Sequence, residues 1–191
     1  MSTPSQEIID EFVGNAHGNF ARVKELLTQY PDLLNANASW NEHAIEAASQ
    51  VGSAEIAEYL LAAGAPTSIC TEAMLGHRDR VRAYLDTDSS QANAKGAHRI
   101  SVLYHAVIRA HQDIAEMLLA AGADVNVGAG GSPAIHGAVM FNQPAMVEWL
   151  AAHGADVNIK NYEGLTPLAA ALKQGKMEIT ELLRQRRATE S

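Results

Sequence analysis

A turn that returns along the chain at a nearly fixed interval restricts this sequence more than any other feature. Six turns are centred on Gly18, Gly52, Gly76, Ala110, Asn142 and Gly175, at spacings of 34, 24, 34, 32 and 33 residues. A period near 33 residues marks an array of stacked supersecondary units rather than a fold with one central core. The 24-residue interval is the exception. "LLAAGA" recurs at 60–65 and 118–123, and "LAAHGA" stands at 150–155. In the two later copies about ten residues separate the Gly-Ala pair from the next apolar run, and in the first copy that spacer is absent.

Each turn is followed by apolar residues at helical spacing, such as Ile56, Leu60 and Leu61, or Ile114, Leu118 and Leu119. That pattern gives one buried stripe per helix. The helix before each turn is short and rich in small residues (Ala47-Ala48, Ala106-Val107, Ala138-Val139, Ala170-Ala171), which lets the two helices approach closely. Thr166-Pro167 and Ser132-Pro133 offer a capping hydroxyl followed by proline in the first turn. Gly64, Gly122 and Gly154 fall just past second helices, where a left-handed residue closes the helix.

The stretches "TPLAAALKQGKMEITELL" (166–183), "SVLYHAVIRAHQDIAEMLLAAGADVN" (101–126) and the two copies of "GADVN" resemble the ankyrin repeat. The resemblance implies an all-α solenoid of six helix-turn-helix units joined by short β-hairpin loops. Its repeats would run over about 5–38, 39–66, 67–96, 97–128, 129–160 and 161–187, as a single domain over 1–191. No copy carries the full Thr-Pro-Leu-His-x-Ala signature, and "PAIHGA" at 133–138 has its proline displaced by one position. Copies one and three lack Gly-Ala-Asp. They read "LLTQYPDLLNANA" and "YLDTDSSQANAKG" and resemble each other more than their neighbours. Repeats 1–2 and 3–4 therefore read as a duplicated pair with the short interval as its seam. The end "RQRRATES" departs from the pattern.

The formal charge is −8, which argues against nucleic acid or an anionic membrane as partner. The charge is uneven. Residues 1–66 hold 9 acids and 2 bases, and residues 67–110 hold 4 acids and 6 bases. One cysteine, Cys70, excludes an intrachain disulfide. The first residues lack the basic and apolar regions of a secretory signal, and no apolar run approaches the length of a membrane span. The expected setting is a reducing, cytoplasmic one, with the chain a monomer.

Little in the sequence points to catalysis. The eight histidines show no HExxH or close ligand triad, so no metal or cofactor is expected. His136 and Cys70 occupy the slot of the signature histidine, and Cys70 reads as a small buried hydrophobe. "GAGGS" at 128–132 lacks the lysine and the strand of a phosphate loop. The resemblance implies a non-catalytic module that binds a protein or peptide through hairpin tips and a concave groove. At the tips stand Trp40, Asn41, Glu42, His98, Arg99, Tyr162 and Leu165. Late in the first helices stand Val51, Met74, Leu75, Ile108, Arg109, Met140 and Phe141. The apolar members of that second group are expected to form an exposed stripe, with a gap in the row of tips above Met74 and Leu75. Two other readings are a small inhibitor subunit that binds a basic protein through the acidic first third, and an enzyme or metal-dependent activity.

Overall fold

The computed structural model describes residues 3–190, which form six helix pairs. They are α1 (Gln6–Asn15) with α2 (Phe20–Gln29), α3 (Ala44–Gln50) with α4 (Ala54–Ala62), α5 (Ile69–Leu75) with α6 (Arg78–Thr87), α7 (Val102–Ile108) with α8 (Gln112–Ala120), α9 (Ala134–Met140) with α10 (Pro144–Ala152), and α11 (Pro167–Lys173) with α12 (Met177–Gln185). The turn residue within every pair has positive φ, from 54° at Asn142 to 145° at Gly18. That requirement explains why glycine fills four of the six positions. Every pair after the first is also closed by one repeated bond. The N–H after the turn residue donates to a carbonyl five residues back, as Ser53 does to Ala48, His77 to Glu72 and Lys176 to Ala171.

The first helices stack in chain order from α1 to α11, and their small residues sit at the contacts. Ala47, Ala106, Ala138 and Ala171 have no exposed surface. Burial is organised in two apolar clusters rather than one. An N-terminal cluster includes Phe12, Leu26, Leu60, Met74 and Ile108, and a C-terminal cluster includes Ile69, Val107, Leu118, Leu150 and Leu183. Helices α5 and α7 contribute to both, so the seam between them carries the continuity of the array.

Repeats 1–2 and 3–4 match under a shift of 58 residues. Gly18 maps to Gly76, Gly52 to Ala110 and Gly64 to Gly122. The helix Phe20–Gln29 and the 3-10 turn Pro31–Asn35 map onto Arg78–Thr87 and the 3-10 turn Ser89–Asn93. Two isolated bridges, Asn37 with His43 and Lys95 with Ser101, obey the same shift. These bridges are all the β structure among the described residues, so the connectors are looped tips rather than β-hairpins. The tips are instead closed by single main-chain bonds, Ala38 N–H to Glu42, Gly96 N–H to Ile100 and Asn161 N–H to Leu165. The helix start expected at Ser132 lies one residue later, because Pro133 holds the extended N-cap position and offers no capping side chain.

A ladder of asparagines ties successive connectors together. The Asn93 side chain accepts from Asp124 N–H at 2.9 Å and donates to the Gly122 carbonyl at 2.9 Å. Asn126 accepts from Asp156 N–H at 2.7 Å and donates to Gly154 at 3.1 Å. Asn158 accepts from Thr189 N–H at 2.7 Å. The last bond corrects the reading of "RQRRATES". Arg187 takes the left-handed position of Gly154, and Ala188 N–H donates to Leu183 as Ala155 N–H does to Leu150. The backbone pattern continues although the letters do not. One rung is missing. Asn35 maps to Asn93 and Pro66 to Asp124 under the 58-residue shift, and proline has no N–H to donate. Asn126→Ala should therefore cost about 1–3 kcal/mol in a urea melt, whereas Asn35→Ala should stay within about 0.5 kcal/mol of wild type.

Candidate functional site

The skipped connector does not leave a gap in the row of tips. It lets the tip at 96–100 reach the tip at 38–42. Glu42 is the meeting point, and it has no exposed surface. Its Oε2 accepts from the Trp40 indole N–H at 2.6 Å, and its Oε1 accepts from the Gln50 amide at 2.6 Å. His98 Nε2 lies 3.5 Å from Oε1 and His17 Nε2 lies 3.9 Å from Oε2. Elements from repeats one, two and four thus converge on one buried carboxylate. His98 and Arg99 hold this tip in the left-handed region, with φ of 54° and 60°.

The expected apolar stripe is not continuous. Met74 and Ile108 are 0% and 1% exposed, because the stacked first helices take them into the N-terminal core cluster. Val51, Leu75, Phe141 and Leu165 are half-buried. Arg109 is exposed and lays its side chain over Gly52. What stays accessible is two separate patches. Trp40, 42% exposed, stands with exposed His98 and Arg99 at the joined tips. Met140 and Tyr162, 44% and 64% exposed, line a small hollow with Tyr104 and His136 at the last two repeats.

The histidines act as local clamps. His136 Nε2 lies 2.8 Å from the Ile159 carbonyl of the next connector, as expected for the signature slot. His111 Nε2 lies 3.0 Å from the Met74 carbonyl, joining repeats three and four. Burial drives the pKa of His105 down to about 4, against the pull of its bond to the Ser101 carbonyl. Cys70 is buried, and burial pushes its thiol up to about 12, far from a reactive thiolate. No group of three or more metal-ligating side chains occurs among the described residues.

A model of the ankyrin repeat family, described as occurring in many copies, matches residues 103–151 and 135–184. Residues 103–184 are ankyrin repeats. The second and third helix pairs share the turn geometry and closing bond of the later ones, and the first pair stacks on them in the same order, so the fold is an ankyrin-repeat solenoid. The chain is 36% identical over 86 residues to protein PhlB of Serratia liquefaciens, an alignment spanning 44% of this chain and 38% of that protein. It is 33% identical over 100 residues to human BCL-6 corepressor-like protein 1, spanning 52% of this chain and 6% of that protein. The chain therefore matches well under half the length of either relative.

The residue that sequence reading missed is Glu72. Its carbonyl makes the bond that the carbonyls of Ala48, Ala106, Ala138 and Ala171 make in other repeats. A glutamate thus stands in the ankyrin alanine slot, and its side chain has no exposed surface. Thr67 Oγ1 and Arg80 Nη1 donate to its Oε1 at 2.8 and 3.0 Å, and His77 Nδ1 lies 2.6 Å from its Oε2. Burial alone would raise this carboxyl, but the partners at His77, Arg80 and Thr67 outweigh burial and hold it below the usual range. The signal was visible as "CTEAM" at 70–74, with Glu where four other copies have Ala. Charged Glu72 stabilises the fold above the ordinary carboxyl value of about 4.3, and that stabilisation fades as pH falls below it toward the lowered value. Glu72→Gln should cost about 1–3 kcal/mol at neutral pH. Denaturation across pH should show the difference from wild type narrowing below about pH 4.3.

Proposed function

We propose that this chain is a non-catalytic protein-binding module, acting as a monomer in a reducing compartment such as the cytoplasm. Ankyrin repeats generally mediate protein–protein contacts, and the helix pairs with their connectors account for the described residues without a separate catalytic unit. In membrane terms, no described helix is long and apolar enough to cross a bilayer. The reading rests on one observation. Met140 and Tyr162, two large side chains of the kind that anchor interfaces, stand exposed on either side of a shared hollow at 44% and 64%. A core residue would be covered, and a solvated surface position would not need either side chain. A partner docks there with little ordering cost on this side, because the helices and the connector bonds already fix the surface. His98, Arg99 and Trp40 supply a second contact point along the same row of tips.

The acidic first third is a weaker candidate for this contact. Glu42 is buried, Glu11 and Glu25 are both paired with Arg22 within 2.8 Å, and Asp10 is held by Ser39. The test is affinity capture from a lysate of the host cell, with wild type beside Met140→Ala/Tyr162→Ala. Both proteins should melt at closely similar temperatures, and the captured partner should be lost from the double variant. Undiminished capture by the variant would overturn the assignment to this patch.

A further inference from the structure

The skipped connector leaves a second feature, which adjoins the joined tips at His43 and Glu46. Three hollows of about 450, 510 and 160 Å³ all share Thr67 as a wall. Together they form a trough along the line where a connector would run. The hollow of about 450 Å³ lies between Thr67 and the α6 face bearing Ala83, Tyr84 and Thr87, with Glu72 as its inner wall.

The other repeats show what this space is missing. Thr67 maps to Val125 under the 58-residue shift, and Val125 and its later counterpart Val157 pack against the C-terminal core cluster. Seven residues after the turn, four repeats carry a large side chain, Tyr59, Met117, Trp149 and Leu182. Tyr59 packs edge-on against Phe20 of the preceding repeat at 5.3 Å, so the slot faces backwards along the array. Trp149 is 8% exposed and stacks on His153 at 4.2 Å. Repeat three has Ala83 there, and Thr87 in the place of His153. Both the covering chain and the filling side chain are therefore absent from one place. Asn35, on the wall of the smallest hollow, lacks the N–H that Pro66 cannot supply.

The charge of the trough is one-sided. Glu46, Glu58 and Asp88 line it, and its one guanidinium, Arg80, is paired with buried Glu72, which leaves three carboxylates without a matching cation in the lining, the histidines being neutral. We propose that the trough receives an extended, basic segment of a partner protein, which replaces the missing connector in trans. A large apolar side chain of that segment seats against Ala83, a backbone N–H meets Asn35, and an adjacent Lys or Arg faces the carboxylate rim. The proposal shares the protein-binding reading but uses a different surface from Met140 and Tyr162.

The experiment is selection of a random twelve-residue phage-displayed peptide library on the wild-type chain, followed by titration of the selected peptides by fluorescence anisotropy. Peptides with an aromatic or large aliphatic residue beside Lys or Arg are expected. Ala83→Trp, which fills the space as Trp149 does in repeat five, should weaken them at least tenfold. Glu58→Lys, an exposed change on α4 that leaves the fold intact, should weaken them severalfold and reduce their salt dependence. Met140→Ala/Tyr162→Ala should leave them unchanged, which separates this proposal from the tip-surface reading. Failure to select any basic-apolar peptide, or equal binding by the wild type and both trough variants, would overturn it. Loss of binding in the Met140/Tyr162 variant alone would also overturn it.

Discussion

A pair of short helices cannot hide its apolar face by itself, and every other feature of this molecule follows from that. Each first helix must lie close against the next, which is why Ala47, Ala106, Ala138 and Ala171 are small and fully covered. Close stacking then fixes where the connectors run. Once they run side by side, Asn93, Asn126 and Asn158 can each reach the connector of the following repeat. The ladder is a consequence of stacking, and it also holds the stack in register.

Removing one connector therefore has effects well beyond one loop. Repeats two and three still stack, because α3, α5 and α7 keep their contacts. The tips on either side of the omission are brought together, and buried Glu42 is satisfied jointly by Trp40 and Gln50 with His98 beside it. Next to these tips the space that a connector would cover stays open. The room so created is what lets a glutamate stand in an alanine slot, with Thr67, Arg80 and His77 satisfying it. A single omission thus produces a closed face and an open trough from the same repeat.

What could be read from the sequence was whatever depends on the local backbone. The six turn positions, the left-handed Gly64, Gly122 and Gly154, the Thr166 cap and first-turn proline of α11 and the buried Cys70 all follow from short stretches of chain. Features set by distant neighbours could not be read that way. Met74 and Ile108 sit at the end of first helices, and only the spacing of the next repeat decides that they are covered. Glu42 is written as a polar tip residue, yet its partners come from positions 17, 40, 50 and 98. The tail was misread for the opposite reason. Arg187, Ala188 and Thr189 reproduce the backbone of "GAD" with different side chains, so the likeness lies in φ angles and hydrogen bonds rather than in letters.

The central claim is that the missing connector brings the tips of repeats two and four together. Its most direct test is a pulsed electron-spin distance between labels at Ser39 and Ala97, in a Cys70→Ser background. The account predicts one short, narrow distance in the native array. Inserting a copy of residues 124–133 between Ala65 and Pro66 should lengthen it by about one helix spacing, roughly 8–10 Å. A broad or long distance in the native array, or one unchanged by the insertion, would contradict it.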